Sequence, residues 1–235
     1  MTAPSRTPAA PAAVLWDMDG TIVDTEPYWL AAETALVGSF GGVWTQEDGL
    51  RLVGSGLLDA AGVLQDAGVD LPREEIIDRL TDHVMEQIEI AVPWRPGARE
   101  LLAALRAEGI PSALVTMSLR RMALRVAAAI GDDAFAVVIA GDDVTNAKPH
   151  PEPYLTAAER LGVSIRDCVA IEDSEFGLVS AVSSGAATIG VPCHVTLHEA
   201  PTHELWSTLD GRTVDDLGAA LERHRHRHAT TGAPS

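Results

Sequence analysis

The sequence predicts an α/β protein in which helices cover both faces of a parallel sheet and a helical domain follows the first strand. From residue 98 to residue 190, short apolar runs that resemble buried strands alternate with helical patterns. This alternation is typical of parallel sheets, because consecutive parallel strands need a crossover between them. Residues 25–94 instead show the apolar spacing of helices and contain no convincing strand.

The chain divides into tails, core and insertion by composition and periodicity. Residues 1–13 are rich in Pro and Ala and are expected to form a disordered tail. Residues 14–24 and 95–222 are expected to form the α/β core, with residues 25–94 as a helical cap. Residues 223–235 are expected to be a second disordered tail. Its alternating histidines are interpreted as solvated, because no apolar frame holds them as metal ligands.

The second part of the core is predicted to contain four helices and four strands. We expect helices near 98–108, 119–130, 152–161 and 176–184, and strands near 112–116, 137–140, 168–172 and 187–190.

The most informative stretch is residues 14–25, VLWDMDGTIVDT. Its apolar run ends in Asp17, which is followed by Asp19 and Gly20. Two carboxylates at a strand end suit nucleophilic and acid–base chemistry beside a metal. An EF-hand calcium loop is disfavoured, because its sixth and twelfth positions would be Ile22 and Tyr28 rather than Gly and Glu. A solvated turn remains an alternative for these residues taken alone.

Three further features stand at the ends of apolar runs or near them. Thr116 ends one run, and the carboxylates of Glu172 and Asp173 end another. Lys148 is the single lysine among 17 basic residues, and its compact ammonium suits a place between carboxylates and a phosphate. Open α/β sheets bind ligands at the carboxyl ends of their strands, so these side chains are expected to meet there.

With these four motifs in order, residues 14–222 resemble the haloacid dehalogenase-like hydrolases, in the branch of phosphatases and β-phosphoglucomutase-like enzymes with a helical cap. DMDGT matches the first motif, Thr116 the second, Lys148 the third and Glu172-Asp173-Ser174 the fourth. The resemblance implies a Rossmann-like core and a phosphatase that forms an aspartyl-phosphate.

The same resemblance implies the roles of the site residues. Asp17 would be the nucleophile and Asp19 the general acid and base, while Thr116 and Lys148 would stabilise the transferring phosphoryl group. The implied Mg²⁺ would be bound by Asp17, Asp19 through its backbone carbonyl, and Asp173, with Glu172 binding directly or through water. Phosphate and substrate contacts are expected from Gly20, Glu26, Arg51, Thr116, Met117, Ser118 and Lys148.

Two rival functions stay open. A β-phosphoglucomutase-like mutase uses the same core residues, but carries a cap arginine at the position that here aligns with Leu57. Arg51 would replace it only with a different cap geometry. A non-catalytic phospho-ligand binding protein is the second rival, although binding alone needs neither a nucleophile nor an acid. Trp29 and Trp44 are additional cap candidates, with core packing as their ordinary role.

Charge and composition limit the classes of binding partner that we expect. The formal net charge of −17 disfavours nucleic acid and anionic membranes. The sequence shows no apolar run long enough for a membrane span and no secretory signal pattern, so a cytoplasmic protein is expected. Cys168 and Cys193 are expected to be reduced thiols. We expect a monomer that acts on a small phosphorylated metabolite, for which a sugar phosphate is one candidate.

Overall fold

Six parallel strands form the central sheet of the computed structural model, which describes residues 9–131, 133–197 and 200–231, with side chains through residue 227. Their order across the sheet is β3-β2-β1-β4-β5-β6. The first strand is therefore central, between the two strands that carry the second and fourth motifs. The strands are β1 Ala13–Trp16, β2 Ser112–Val115, β3 Val137–Ile139, β4 Cys168–Glu172, β5 Ala187–Gly190 and β6 Glu204–Leu205.

The described residues also form nine α-helices. They are α1 Glu26–Ser39, α2 Gln46–Leu50, α3 Leu57–Asp66, α4 Arg73–Ile90, α5 Ala98–Ala107, α6 Arg120–Ile130, α7 Glu152–Leu161, α8 Glu175–Ser184 and α9 Val214–Thr231. Local sequence explains several of their ends. For example, the hydroxyl of Ser174 accepts a hydrogen bond from the amide of Gly177 at 3.1 Å and caps α8.

Successive side chains of β1 point to opposite faces of the sheet, and a hydrophobic core lies on each face. Val14 and Trp16 pack on the side of α5, α6 and α9, whereas Ala13 and Leu15 pack on the side of α7 and α8. All four residues are fully buried. A strand buried on both faces is continuously apolar, which explains the short runs in the sequence.

The helices α1 to α4 lie between β1 and α5 and form the predicted cap region. The chain leaves and re-enters the core through two paired segments: Val23 forms an antiparallel bridge with Trp94, and the Asp24 amide donates to the Pro93 carbonyl at 2.7 Å. On the core, Arg121 of α6 pairs with Asp78 at 2.9 Å and also with Asp82, both on α4. The cap therefore contacts the core at the hinge and along α6.

The fold confirms the predicted class and each predicted helix and strand of residues 98–190, with ends that differ by no more than one residue. The chain also forms β6 and α9, which were not predicted. None of the helices in the described part of the chain combines the length and apolarity needed to cross a bilayer.

The expectation of a disordered tail from residue 223 was wrong, because α9 continues to Thr231. Arg223 binds Glu204 of β6 with distances of 2.5 and 3.0 Å. His224 is buried against the ring of His203. These contacts fix the helix to the edge of the sheet. At the other end, the predicted tail is ordered from residue 9, and the Ala12 amide donates to Asp167; residues 1–8 and 232–235 lie outside the described residues.

Candidate active site

The functional side chains predicted from the four motifs meet at the carboxyl edge of the sheet. Asp17 follows β1, Thr116 follows β2, and Glu172 is the last residue of β4. Lys148 comes from the loop before α7 and is buried beneath them. Because β1 pairs with both β2 and β4, their ends converge on Asp17.

Lys148 is bound by three acceptors. Its Nζ donates to Asp17 Oδ1 at 2.7 Å, to Glu172 Oε1 at 2.6 Å and to the Val115 carbonyl at 2.9 Å. Burial alone would lower the pKa of Lys148, but the two carboxylates outweigh burial and raise it above its ordinary value. The ammonium is therefore charged, and its three protons are all used in positioning carboxylates and backbone.

Glu172 accepts hydrogen bonds on both of its oxygens. Oε1 receives Tyr154 Oη at 2.6 Å in addition to Lys148, and Oε2 receives the Asp173 amide at 3.2 Å and Ser174 Oγ at 3.3 Å. Gly177 lies so close that a Cβ there would stand 2.0 Å from the carboxylate. This carboxylate is thus enclosed by donors from the protein and serves as the anchor of Lys148.

Asp17 and Asp173 form the part of the site that fits a metal. Asp17 Oδ2 is buried and receives no hydrogen bond from any of the described residues. Burial, and to a smaller extent the charge of Glu172, raises the pKa of Asp17 to about 7, although Lys148 lowers it in part. Burial also raises the pKa of Asp173. One oxygen each from Asp17, Glu172 and Asp173 lies within 4.8 Å of the others. An unpartnered carboxylate oxygen in an all-oxygen cluster suits a hard divalent cation.

Gly20 makes room for this cluster. Its φ is +83°, and a Cβ there would stand 1.9 Å from Asp173 Oδ2. A side chain would therefore displace Asp173, and the backbone conformation itself favours glycine.

Asp19 is held by four donors from core and cap. Thr25 Oγ1 at 2.5 Å and Trp29 Nε1 at 3.3 Å reach Oδ1, while Ser118 Oγ at 2.7 Å and Thr116 Oγ1 at 3.2 Å reach Oδ2. Trp29 belongs to α1 of the cap. The orientation of the Asp19 carboxyl is therefore shared between the sheet and the inserted helices.

A cavity between cap and core joins most of the predicted site residues. Its lining includes Asp17, Asp19, Glu26, Thr116, Met117, Ser118, Lys148 and Asp173. Arg51 does not line it: the side chain is 66% exposed and pairs with Glu47 at 2.7 Å and Asp48 at 3.4 Å. Trp44 does not line it either, but donates to Glu33.

Three residues of the site were missed from the sequence. Tyr154 contacts Glu172 through its hydroxyl at 2.6 Å and Lys148 through its ring, whose centroid lies 5.2 Å from Nζ, and spacing in the sequence cannot reveal these contacts. Thr25 follows the first motif, but nothing else in the sequence marks it as a site residue. Glu33 could have been noticed, because it is an acidic residue within the buried face of α1, beside Ala32, Leu36 and Val37.

Comparisons with known proteins agree with the geometry. Residues 11–185 match the family model described as haloacid dehalogenase-like hydrolase. Hexitol phosphatase B of Escherichia coli (strain K12) is 30% identical over 197 residues, covering 79% of this chain and 86% of that protein. A phosphorylated carbohydrates phosphatase of Thermotoga maritima is 32% identical over 182 residues, covering 75% and 83%. A crystal structure of mutant CbbY from Rhodobacter sphaeroides with xylulose-(1,5)bisphosphate superposes with a TM-score of 0.80 and 26% identity, covering 90% and 99%.

Proposed function

Because this chain belongs to the haloacid dehalogenase-like hydrolases, we propose that it is a Mg²⁺-dependent phosphatase that forms an aspartyl-phosphate on Asp17. The main support for this proposal is that Lys148 forms ion pairs with both Asp17 and Glu172 at the floor of a cavity. Asp17, Asp19 and Lys148 all line this cavity. The relatives named as phosphatases of hexitols and carbohydrates support a small sugar phosphate as substrate.

The charges in the site address the main obstacle to the reaction. A carboxylate that attacks a phosphodianion meets strong repulsion, which nearby positive charge must offset. Asp17, the backbone carbonyl of Asp19 and Asp173 would hold the Mg²⁺, which supplies positive charge at the transferring oxygens when bound. Lys148 supplies a second charge from the protein. We assign Glu172 to Lys148 rather than to direct metal binding, because donors already occupy both of its oxygens.

The reaction then proceeds in two steps. In the first, an oxygen of Asp17 bonds to phosphorus, the bond from phosphorus to the leaving oxygen breaks, and that oxygen takes a proton from Asp19. In the second, a water oxygen bonds to phosphorus and gives a proton to Asp19, while the bond between phosphorus and Asp17 breaks. Thr116, Ser118 and the amides around Gly20 and Met117 would hold the phosphate oxygens.

We further propose that the enzyme acts as a cytoplasmic monomer, without nucleic acid or membrane partners. The formal net charge of −17 supports the last part of this proposal. The two cysteines, Cys168 and Cys193, are free thiols, which agrees with a reducing compartment.

The test is release of phosphate from a panel of phosphorylated metabolites, with Mg²⁺ and with EDTA. We expect metal-dependent release that Asp17→Asn abolishes, while the exposed control Asp70→Asn retains it. An active and folded Asp17→Asn protein would refute the mechanism. Hexose 1-phosphates with a bisphosphate activator separate the mutase, which would yield an isomerised sugar phosphate without free phosphate. Tight binding without turnover would indicate a phospho-ligand binding protein.

A further inference from the structure

Two glutamates of the cap helix α1 line the cavity over the reaction site. Glu26 and Glu33 are seven residues apart, which is two helical turns, so both lie on the same face of α1. Glu33 is only 5% exposed, and its Oε2 accepts a hydrogen bond from Trp44 Nε1 at 2.9 Å. The glutamate is thereby held in place beside the region that a leaving group must occupy.

The cap contributes no positive charge to this cavity. Among the described residues that line it, Lys148 is the one cation, and its protons are bound to Asp17, Glu172 and Val115. Arg51 is turned outward into ion pairs with Glu47 and Asp48. A second phosphate on the substrate would therefore face buried carboxyl groups and no counter-charge, which is strongly unfavourable.

The remaining cap side chains of the cavity are mostly apolar. The apolar ones are Trp29, Leu52, Val53, Leu57, Ala60 and Leu80, and Ser55 adds one hydroxyl. Apolar side chains can pack against the C–H groups of a carbon chain, while carboxyl groups can form hydrogen bonds with its hydroxyls. Burial raises the pKa of Glu33 to about 7, and burial with the nearby Glu33 raises that of Glu26 to about 8. Near neutral pH the pair therefore both donates and accepts hydrogen bonds, and Glu33 gains a negative charge as pH rises through about 7.

We propose that Glu26 and Glu33 select an uncharged, polyhydroxylated leaving group, so that the enzyme accepts sugar or polyol monophosphates and rejects substrates with a second phosphate. This inference rests on the proposed phosphatase function, and names the substrate class of the same site. It also separates this chain from the CbbY structure, whose ligand is a bisphosphate.

Matched substrates test the inference on the wild-type enzyme. Fructose 6-phosphate and fructose 1,6-bisphosphate share a skeleton and differ by one phosphate. Glucose 6-phosphate and sorbitol 6-phosphate represent the sugar and polyol monophosphates. We expect kcat/KM for fructose 6-phosphate to exceed that for the bisphosphate by about tenfold or more. Equal or better use of the bisphosphate overturns the inference.

The variant Glu33→Gln tests the residue itself, because an amide keeps the shape and the acceptor for Trp44 but cannot ionise. At pH 8, above the raised pKa of Glu33, we expect the ratio of kcat/KM for fructose 6-phosphate to that for the bisphosphate to fall about tenfold, equivalent to ~1.4 kcal/mol. Glu75→Gln, an exposed position on α4, should leave this ratio unchanged. An unchanged ratio in folded Glu33→Gln protein counts against the role of Glu33.

Hydrolysis of 4-nitrophenyl phosphate separates failure of the proposed specificity from failure of the proposed phosphatase function. Metal-dependent hydrolysis of this reference without the expected substrate preference refutes the specificity and leaves the phosphatase function standing. Failure to release phosphate from the reference and from every sugar phosphate refutes the phosphatase function, and the inference falls with it.

Discussion

The buried carboxyl of Glu33 should make the stability of the protein depend on pH. Burial raises the pKa of Glu33 from 4.5 to about 7 in the folded state, although the hydrogen bond from Trp44 lowers it in part. The folded protein then holds a proton that the unfolded chain releases between pH 4.5 and 7. Stability is therefore fully present below pH 4.5 and falls as pH rises through about 7.

The size of this effect follows from the shift. One pKa unit corresponds to ~1.36 kcal/mol, so the full change is about 3 kcal/mol. Over the accessible range from pH 5 to pH 8, Glu33→Gln should gain about 2.5 kcal/mol of unfolding free energy relative to the wild type. Removal of Glu33 also relieves Glu26, whose pKa it helps to raise, and this coupling acts in the same direction.

Urea unfolding in EDTA at pH 5, 6, 7 and 8 measures the prediction, with the wild type, Glu33→Gln and Glu75→Gln in parallel. The control glutamate is exposed and pairs with Arg79 at 2.6 Å, so its substitution should shift the curve by a constant amount. If the wild type and Glu33→Gln show the same pH dependence, Glu33 is ionised and hydrated in the folded protein. That result would refute a raised pKa for Glu33.

Three other substitutions test the core of the site. Lys148→Arg should lower kcat by at least about 10³, because a planar guanidinium does not replace an ammonium with three close acceptors; retention of most of the rate contradicts this. Tyr154→Phe removes a donor to Glu172 and should cost roughly 1.5–3 kcal/mol in urea unfolding; no loss would mean that the bond is worth nothing. Gly20→Ala should raise the Mg²⁺ concentration for half-maximal activity about tenfold or more, since a Cβ would collide with Asp173, and an unaltered titration would count against that role.

Much of the fold could be predicted from the sequence because the strands β1, β2 and β4 are buried on both faces and appear as apolar runs. Polar residues of the site stand at their carboxyl ends: Asp17 follows β1, Thr116 follows β2, and Glu172 is the last residue of β4. The edge strand β6 has only two residues and is half exposed, so it leaves no such pattern. The last turns of α9 are polar in sequence and depend on tertiary contacts such as Arg223 with Glu204.

The motif residues of the site could be predicted because chemistry restricts their types, whereas contacts that support them could not. The spacing of Glu172 in the sequence is the same for a metal ligand and for an anchor of Lys148, and its four donors, which support our assignment to Lys148, come from contacts that spacing does not show. Arg51 was a reasonable cap candidate, yet its side chain follows the nearest carboxylates, Glu47 and Asp48, on its own short helix. Side-chain direction on a helix depends on such local partners.

The pairing of the two hinge segments has a consequence for how activities can diversify on this sheet. Where the chain departs at Asp24 and returns at Pro93, amide and carbonyl are joined by one hydrogen bond of 2.7 Å. A tight turn could close so small a gap. The inserted segment could therefore be exchanged for another without any change to the order of the strands. Thr25 and Trp29, which hold Asp19 from the inserted side, would have to accompany each exchange. An exchange at these two neighbouring junctions would change the surface that faces the leaving group and keep the contacts of Lys148 with Asp17 and Glu172 in the core.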